Sequence, residues 1–285
     1  MIPILKVEEL APRIFEMTVL NKQLAKKARA GHFVIVMSDD QGERIPLTVA
    51  DYDQEAGTIT LVIMAIGTST QKLTHKKAGD SLFAMIGPLG KASEIDQFGS
   101  VVLVAGGVGT APIYPIARSL KEAGNRVIVI QGARSKELLF WKEKIASVAD
   151  QHIITTDDGS EGRKALVTEP LRELLEANIA RKEEADAIRC VYTIGPAIMM
   201  KFCTETARPF GVKTIASLNS IMIDGTGMCG GCRVRVGGET KFTCVDGPEF
   251  DALAIDWDIA LSRQKTYCDA EKCSLDRYVK EHNRD

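Results

Sequence analysis

The sequence has almost no net charge and no long uninterrupted apolar segment. Its 36 Lys and Arg residues nearly balance its 38 Asp and Glu residues, for a formal charge of −2. This balance removes the electrostatic argument for binding nucleic acid or an anionic membrane surface. The most apolar long window, 101–117, is interrupted by glycine and proline and is not expected to span a membrane. The short apolar start, 1–5, runs directly into charged residues, which predicts no signal peptide and a cytoplasmic protein.

Histidine is also scarce, with four scattered residues. No pair of them has metal-ligand spacing, and neither a catalytic triad nor a His-Glu-x-x-His motif is recognisable. We therefore expect no dedicated acid or base catalyst. The composition, 45% hydrophobic and 26% charged, is ordinary for a globular protein and excludes disordered, collagen-like and coiled-coil classes.

Cysteine, by contrast, is clustered. An odd total of seven, with no export signal, argues against a disulfide framework and for metal or redox chemistry. Three of them, Cys229, Cys232 and Cys244, lie within 16 residues. Plant-type [2Fe–2S] proteins use C-x4-C-x2-C and a distant cysteine, because a glycine-rich loop must wrap around the cluster. In this sequence Asp224 stands in place of the first cysteine.

This spacing leaves several chemistries open. A structural zinc site, a Cys-x-x-Cys redox pair and unliganded thiols are alternatives to the cluster. The glycines that flank Cys229 and Cys232 favour a cluster loop over a zinc knuckle. Elsewhere, Cys190 is expected in the core, and Cys268 and Cys273 lack flanking glycines and are not expected to be ligands.

The first hundred residues have the texture of β structure. Short runs rich in β-branched residues, bounded by turn residues, predict strands near 15–19, 31–37, 59–64 and 81–86. Strands at this spacing, with little helical pattern between them, indicate a small antiparallel barrel.

From residue 101 the pattern changes to alternating strands and helices. A buried strand at 101–105, a glycine-rich turn, a helix at 113–122 and a strand at 126–130 predict a βαβ unit and a parallel sheet. Further helices are expected at 136–148 and 167–177, with a strand at 189–194 and a charged helical tail.

The glycine-rich turn, 106–112, is similar to a dinucleotide-binding loop, since glycine lets the backbone approach a pyrophosphate at a helix N-terminus. It does not satisfy G-x-G-x-x-G, and no acidic residue ends the next strand, so an ordinary tight turn is an alternative. Neither segment 44–48 nor segment 67–70 would indicate a function alone. They become informative because they precede, in this order, the glycine-rich turn and the cysteine loop.

With these motifs in this order, the chain resembles the ferredoxin-NADP reductase-type flavoproteins, specifically the small electron-transfer subunits that end in a [2Fe–2S] loop. The resemblance covers nearly the whole chain. It implies a β plus α/β fold: an antiparallel FAD-binding β-barrel at 1–97 and a parallel-sheet nicotinamide-nucleotide domain at 98–217. A small C-terminal [2Fe–2S] domain at 218–250 and a tail at 251–285 would follow.

The resemblance also implies the residues of three sites. Arg44 would bind the FAD diphosphate, and the segment from Pro46 to Thr48 would line the flavin. The implied FAD site comprises Arg44, Ile45, Pro46, Leu47, Thr48, Ile63, Met64, Ala65, Gly67, Ser69 and Thr70. The implied nicotinamide-nucleotide site comprises Gly106, Gly107, Gly109, Thr110, Ala111, Pro112, Arg134, Ser135, Gly195, Pro196 and Met199. The implied cluster ligands are Asp224, Cys229, Cys232 and Cys244.

Within this family, Asp224 and the ending at 244–251 are typical of the transhydrogenase branch, whereas the dihydroorotate dehydrogenase branch has a fourth cysteine at that position. The implied protein exchanges hydride with NAD(H) at FAD and passes single electrons through the cluster. Its expected partner is a larger subunit with a second flavin and [4Fe–4S] clusters, in a heterodimer or higher assembly that reaches ferredoxin indirectly and bifurcates electrons. NADP(H) is an alternative nucleotide. The electron-transfer subunit of dihydroorotate dehydrogenase and a non-enzymatic zinc-stabilised binding module are alternative functions.

Overall fold

The computed structural model describes residues 1–181 and 184–282. The last three residues of the expected C-terminal tail lie outside these ranges. The described chain forms two seven-stranded sheets and one two-stranded ribbon. Within it, no helix combines the length and apolar character needed to cross a membrane.

The first sheet is antiparallel and nearly closed. Its strands are β1 (Ile2–Ala11), β2 (Ile14–Leu20), β3 (Phe33–Met37), β4 (Ile45–Asp53), β5 (Thr58–Met64), β6 (Ser81–Leu82) and β7 (Ala84–Leu89). Their order is β6-β1-β2-β5-β4-β3-β7. Only Phe83 separates the two edge strands, so the sheet curls until its edges are neighbours. Two short helices, α1 (Lys22–Lys27) and α2 (Thr68–Thr74), contribute Leu24 and Leu73 to the barrel core.

Side chains on the barrel strands alternate between the core and the outer face. On β3, Val34 and Val36 belong to the barrel core, whereas Phe33 and Ile35 belong to a separate cluster on the outer face. Because both faces are covered, this strand is an unbroken apolar run in the sequence.

The second sheet is parallel over six strands. These are β8 (Ser100–Gly106), β9 (Arg126–Ala133), β10 (Gln151–Thr156), β11 (Arg163–Lys164), β12 (Ile188–Ile194) and β13 (Lys213–Ser217). Their order across the sheet is β11-β10-β9-β8-β12-β13. Successive strands are added on one side of β8 up to β11 and then on its other side from β12, so the order reverses between β8 and β12. In the described residues, four α-helices belong to this unit: α3 (Thr110–Glu122), α4 (Lys142–Ala146), α5 (Thr168–Asn178) and α6 (Ala197–Ala207). Val101 and Leu103 pack on the α3 side, and Val102 and Val104 pack on the α5–α6 side.

The C-terminal segment joins both units. It consists of the ribbon β14 (Arg233–Val236) and β15 (Glu239–Phe242), then α7 (Thr243–Asp246), β16 (Glu249–Asp251), α8 (Trp257–Arg263) and α9 (Cys268–His282). β16 pairs antiparallel with β13 and completes the second sheet. α9 lies on α2, where the hydroxyls of Thr68 and Ser274 are 2.9 Å apart.

The expected barrel and parallel sheet are confirmed, with two local corrections. The helix expected at 136–148 is wrong: a 3-10 turn at 136–138 and α4 are separated by residues 139–141, and the φ of Trp141 is 56°. The reason is tertiary, because the Trp141 ring packs edge-on against Phe140 and Tyr114 instead of extending a helix. The strand expected at 81–86 is interrupted at Phe83, where the sheet closes.

One carboxyl group, that of Glu249, is expected to make the stability of this fold depend on pH. The Glu249 side chain accepts a 2.6 Å hydrogen bond from Ser93 Oγ, at the junction of β16 with the segment that leaves the barrel. Burial raises the pKa of Glu249 to about 7, against an ordinary value of 4.5, with a smaller contribution from the Glu94 charge. The folded protein therefore holds a proton in this range that the unfolded chain has released. Stability from this group is fully present below pH 4.5 and is lost as the pH rises through 7.

We predict that Glu249→Gln flattens this dependence, because the amide keeps an oxygen for Ser93 but cannot ionise. At pH 8 the variant should be more stable than the parent by about 1–3 kcal/mol, with little difference at pH 5. Urea unfolding at both pH values measures this, with Glu122→Gln on the exposed surface of α3 as the control. Parallel pH profiles for Glu249→Gln and the parent would contradict the assignment.

Candidate functional site

A crevice lies where the strand order of the parallel sheet reverses. Ala105 near the end of β8 is in register with Ile194 at the end of β12, so the loops after these two strands are neighbours. In open parallel sheets, ligands bind at such a switch point, outside the carboxyl ends of the strands. The predicted nucleotide segments 106–112 and 195–199 both begin there.

Close contact between these two loops explains their glycines. A Cβ atom at Gly109 would lie 2.1 Å from the carbonyl oxygen of Ile194, and one at Gly106 would lie 2.2 Å from Met199 Sδ. Gly195 approaches Met199 and Gly106 in the same way. A Cβ at Gly107, with φ of 55°, would meet nothing within 4 Å, so this stretch of backbone is open to a ligand.

Arg134 and Ser135 lie beside this crevice at the end of the neighbouring strand. Gly132 of β9 is in register with Gly106, two residues before Arg134. Arg134 is exposed. The Ser135 hydroxyl lowers the pKa of the exposed Glu137 carboxyl by hydrogen bonding. The structure thus places the predicted ribose-reading residues on the same edge as the glycine loop.

A cleft opens in the barrel between β4 and β5. These strands pair up to Val49 and Leu61 and then separate. Beyond that point β4 is paired only with β3, and β5 only with β2. The predicted FAD segments 44–48 and 63–65 border the two sides of this separation.

The alternation of β4 divides the predicted FAD residues into two sets. Pro46 and Thr48 are paired with Ile35 and Phe33, so their side chains lie on the outer face of the barrel. Ile45 and Leu47 pack against the barrel core, and Ile63 is fully buried in it. The side chain of Ile63 is therefore inaccessible to a ligand, whereas Ile45 and Leu47 are only partly buried.

The turn at 67–70 is tied to the residue before Arg44. Thr70 Oγ1 accepts hydrogen bonds from the backbone N–H groups of Ile66 (3.1 Å) and Gly67 (3.0 Å). Ser69 Oγ donates a 2.7 Å hydrogen bond to Glu43 Oε2. Arg44, which follows Glu43 in the chain, is exposed.

Sequence reasoning missed Arg13, which fixes the end of β5. Its guanidinium donates two hydrogen bonds to the carbonyl oxygen of Ala65, at 3.0 and 2.7 Å from Nε and Nη2, and its own carbonyl accepts one from the Ala65 N–H at 2.8 Å. Arg13 has a left-handed backbone, with φ of 66°. Its distance in sequence from Ala65 left no signal that could have identified it.

The glycine loop of the parallel sheet rests on the barrel beside this cleft. Val108 and Ala111 pack against Ala50, Val62 and Met64 in one apolar cluster. The nucleotide crevice and the barrel cleft are therefore adjacent.

The cysteine loop covers the outer face of the barrel on the other side of β4. Cys232 and Cys244 are buried against Phe33 and Ile35. Their sulfur atoms are 3.2 Å apart. Gly225, with φ of +83°, lies so close to the barrel that a Cβ would be 2.8 Å from Ile35 Cγ1.

Asp224 and Cys229 form a second, more exposed pair in this loop. Asp224 Oδ2 accepts hydrogen bonds from the Thr226 hydroxyl (2.7 Å) and the backbone N–H groups of Thr226 (2.9 Å) and Met228 (3.1 Å). The Thr226 bonds, followed by that of Met228 and the charge of Arg44, lower the pKa of Asp224. Hydrogen bonds from backbone N–H groups, chiefly that of Gly231, lower the pKa of Cys229.

The donor set fits an iron–sulfur cluster, although the four groups are not gathered around one point. In the described parts of the chain, no three carboxylate, thiol or imidazole groups are arranged to hold a metal ion. Burial and the neighbouring Cys232 raise the pKa of Cys244, so the Cys244 thiol keeps its proton unless a cation replaces it. Glycines with positive φ on both sides of Cys229 give the loop the freedom to wrap a cluster.

A second missed residue braces this loop. Arg263 Nη2, at the end of α8, donates a 2.8 Å hydrogen bond to the carbonyl oxygen of Gly231. The remaining cysteines lie apart: Cys190 and Cys203 are buried in the parallel-sheet domain, and Cys268 and Cys273 are exposed on α9.

Comparison with known proteins agrees with this architecture. Residues 103–205 match the family described as the oxidoreductase NAD-binding domain, and residues 219–256 match the iron-sulfur cluster binding domain of dihydroorotate dehydrogenase B. The fold is shared with phthalate dioxygenase reductase, at 18% identity and a TM-score of 0.61 over 82% of this chain and 85% of that one. The fold and these domains define an oxidoreductase of the ferredoxin-reductase type.

More similar proteins identify the family. The dihydroorotate dehydrogenase B (NAD(+)) electron transfer subunit homolog of Thermotoga maritima is 45% identical over 97% of this chain and 95% of its own. The corresponding subunit of Bacillus caldolyticus is 32% identical over 85% and 93%. A chain in the structure of an NADH-dependent reduced ferredoxin-NADP oxidoreductase is 43% identical over 98% of both chains, with a TM-score of 0.89. The chain belongs to the family of electron-transfer subunits that includes these dihydroorotate dehydrogenase B relatives.

Family membership confirms the resemblance drawn from the sequence, together with the oxidoreductase class and the NAD-binding and iron–sulfur domains. The alternative of a non-enzymatic zinc-stabilised module is wrong, because both matched domains are those of redox proteins.

We predict that Gly109→Ala closes the nucleotide crevice. The added methyl group would collide with the Ile194 carbonyl, which should destabilise the fold by about 1–3 kcal/mol and weaken NADH binding. Gly124→Ala is the matched control: its φ of +86° makes it costly, but it lies at the far end of α3. Calorimetry should therefore find both variants less stable and only Gly109→Ala impaired in NADH binding. Equal NADH affinity in the two variants would contradict the position of the crevice.

Proposed function

We propose that this chain is the small electron-transfer subunit of an oxidoreductase complex that couples NAD(H), NADP(H) and ferredoxin by electron bifurcation. Bound FAD would exchange a hydride with NAD(H) and a [2Fe–2S] cluster would carry single electrons onward, since nicotinamides carry electrons in pairs and such clusters carry one. Support comes from the 43% identical chain of the NADH-dependent reduced ferredoxin-NADP oxidoreductase structure, which concerns flavin-based electron bifurcation.

The observation that carries this proposal is the order of the three predicted sites on the outer face of the barrel. The cysteine loop covers Phe33 and Ile35 on β3. Pro46 and Thr48 lie opposite these residues on β4. The glycine loop then covers Val62 on β5. β4 lies between β3 and β5 in the sheet, so a flavin on β4 would lie between a cluster and a nucleotide.

The proposed roles of the chain's residues follow from this order. Arg44 would neutralise the FAD diphosphate, and the open backbone at Gly107 would approach the nucleotide pyrophosphate. The apolar contact of Val108 with Val62 and Met64 would exclude water between the two rings. The predicted domain boundaries and the cytoplasmic location remain predictions.

We further propose that the cysteine loop faces the larger flavin- and [4Fe–4S]-containing partner. Three apolar side chains around the predicted ligands are exposed: Ile223 by 53%, Met228 by 83% and Val245 by 38%. Apolar residues grouped around a redox site are typical of a protein-docking surface.

The second candidate is electron transfer to dihydroorotate dehydrogenase. It is supported by the names of the Thermotoga and Bacillus relatives and by the family matched at 219–256. Asp224 favours the first candidate, because the dihydroorotate branch is expected to have cysteine there. Affinity purification from the native cell separates them, since the two candidates require different catalytic subunits to co-purify.

We predict that protein purified without oxygen shows a flavin spectrum with an iron–sulfur shoulder, and that NADH bleaches both. Separate titrations with NADH and NADPH give the nucleotide preference. Cys232→Ser should remove the iron and leave the flavin, whereas Cys268→Ser, on the exposed surface of α9, should keep both. A colourless protein, or loss of iron in the Cys268 variant alone, would contradict the proposed cofactors.

We also predict that Asp224→Cys keeps the cluster but changes its reduction potential, because thiolate is a softer and more covalent ligand than carboxylate. A potentiometric titration followed by electron paramagnetic resonance measures the change. An unchanged potential and spectrum would remove Asp224 from the ligand set.

A further inference from the structure

A single barrel carboxylate joins two helices of the nucleotide domain. Asp51 lies on β4, three residues after Thr48. Its Oδ1 accepts a 2.8 Å hydrogen bond from Arg118 Nη1 of α3, and its Oδ2 accepts one of 2.7 Å from Lys144 Nζ of α4. All three side chains are mostly shielded, with exposed fractions of 20%, 26% and 28%. Ion pairs in such surroundings are screened less than surface pairs.

Aromatic rings surround the two cations. Lys144 Nζ lies 4.3 Å from the ring centroid of Tyr114 and 4.0 Å from that of Trp141. The Arg118 guanidinium lies 5.4 Å from the Tyr114 ring. These distances are within the range of cation–π attraction. We name the group Asp51, Arg118, Lys144, Tyr114 and Trp141 the Asp51 clasp. In this clasp each of the two cations contacts both the Asp51 carboxylate and at least one aromatic ring.

A second barrel carboxylate, that of Glu16, binds the clasp at Trp141. Trp141 Nε1 donates a 3.0 Å hydrogen bond to Glu16 Oε2 on β2. A bulge at Ala50 changes the register of β4 against β5 immediately before Asp51. Bulges re-aim the side chains that follow them. The barrel therefore directs Asp51 towards α3 and α4.

The clasp connects the elements that carry the two predicted ring sites. α3 begins at Thr110, within the glycine-rich turn 106–112, and Arg118 follows about two turns later. Arg118 and the end of the glycine-rich turn thus belong to one continuous helix. Asp51 belongs to the same strand, β4, as Pro46 and Thr48 on the predicted flavin side.

We propose that Asp51 is a positioning residue for hydride transfer, which sets the spacing of nicotinamide and flavin without touching either. This inference rests on the proposed function. Hydride transfer needs reacting atoms about 3–3.5 Å apart, and a shift of about 1 Å can slow a reaction a hundredfold. NADH would bind at the loops 106–112 and 195–199 of the nucleotide domain, and none of the clasp residues belongs to these loops. Loss of the clasp should therefore slow hydride transfer and leave NADH affinity intact.

The test is the reduction of bound FAD by NADH in the holoprotein, followed by anaerobic stopped-flow absorbance. For Asp51→Asn we expect a limiting rate about tenfold to a hundredfold below the parent, with the NADH dissociation constant within about twofold. Asp51→Glu, which keeps the charge, should recover part of the rate. Glu173→Gln is the matched control, because it breaks an ion pair with Arg163 that lies wholly within the nucleotide domain.

A second readout reports the clasp without the reaction. In a Trp257→Phe background, Trp141 is the remaining tryptophan, and its fluorescence should become more accessible to acrylamide in Asp51→Asn but not in Glu173→Gln. If Asp51→Asn does not fold, Lys144→Met breaks one arm of the clasp and keeps the Arg118 pair. An unchanged limiting rate, or a rate loss explained by weaker NADH binding, would overturn the inference. If the parent itself shows no FAD reduction by NADH, the proposed function fails instead, and unchanged Trp141 quenching would separately overturn the clasp.

Discussion

The alternation of side chains along β3, β4 and β5 is the constraint on which the arrangement of this protein depends. Val34, Val36 and Leu47 face inward and build the barrel core. Their neighbours in sequence face outward and form the surface on which the cysteine loop and the glycine loop rest. A shift of one residue in register would exchange the two sets and bury every outward contact. Both faces of these strands are therefore apolar for different reasons: the inner face packs the barrel core, and the outer face packs against the two loops.

Local features of the site could be predicted from the sequence because their chemistry is contained in short segments. The spacing of Cys229, Cys232 and Cys244 and the glycines at 106–109 mark candidate sites without a structure, and the order of these motifs along the chain narrows the choice of ligands. Arg13 and Arg263 could not be found in this way, since each acts on a carbonyl group far away in the chain. The same holds for Trp141, where contacts with other elements end a helix that local propensity would continue.

The domain order was predictable for a related reason. A strand buried on both faces, such as β8, differs visibly from a half-buried barrel strand such as β2, and the glycine-rich turn 106–112 follows β8 directly. The role of β16 was not predictable, because three residues of a strand carry no periodic signal. β16 pairs with the edge of β13 that no other described strand occupies. The chain reaches this edge only after it has passed through the cysteine loop.

This edge strand has a consequence for large-scale motion. The cysteine loop packs on the barrel at Cys244, whereas Glu249, five residues later, is hydrogen-bonded to the nucleotide sheet. A chain of that length spans at most about 18 Å when fully extended. The two large units therefore cannot hinge widely apart unless β16 peels away or the cysteine loop leaves its seat. The cysteine loop and the nucleotide sheet are therefore held at a nearly constant separation, which leaves no freedom for a swinging-arm motion between them.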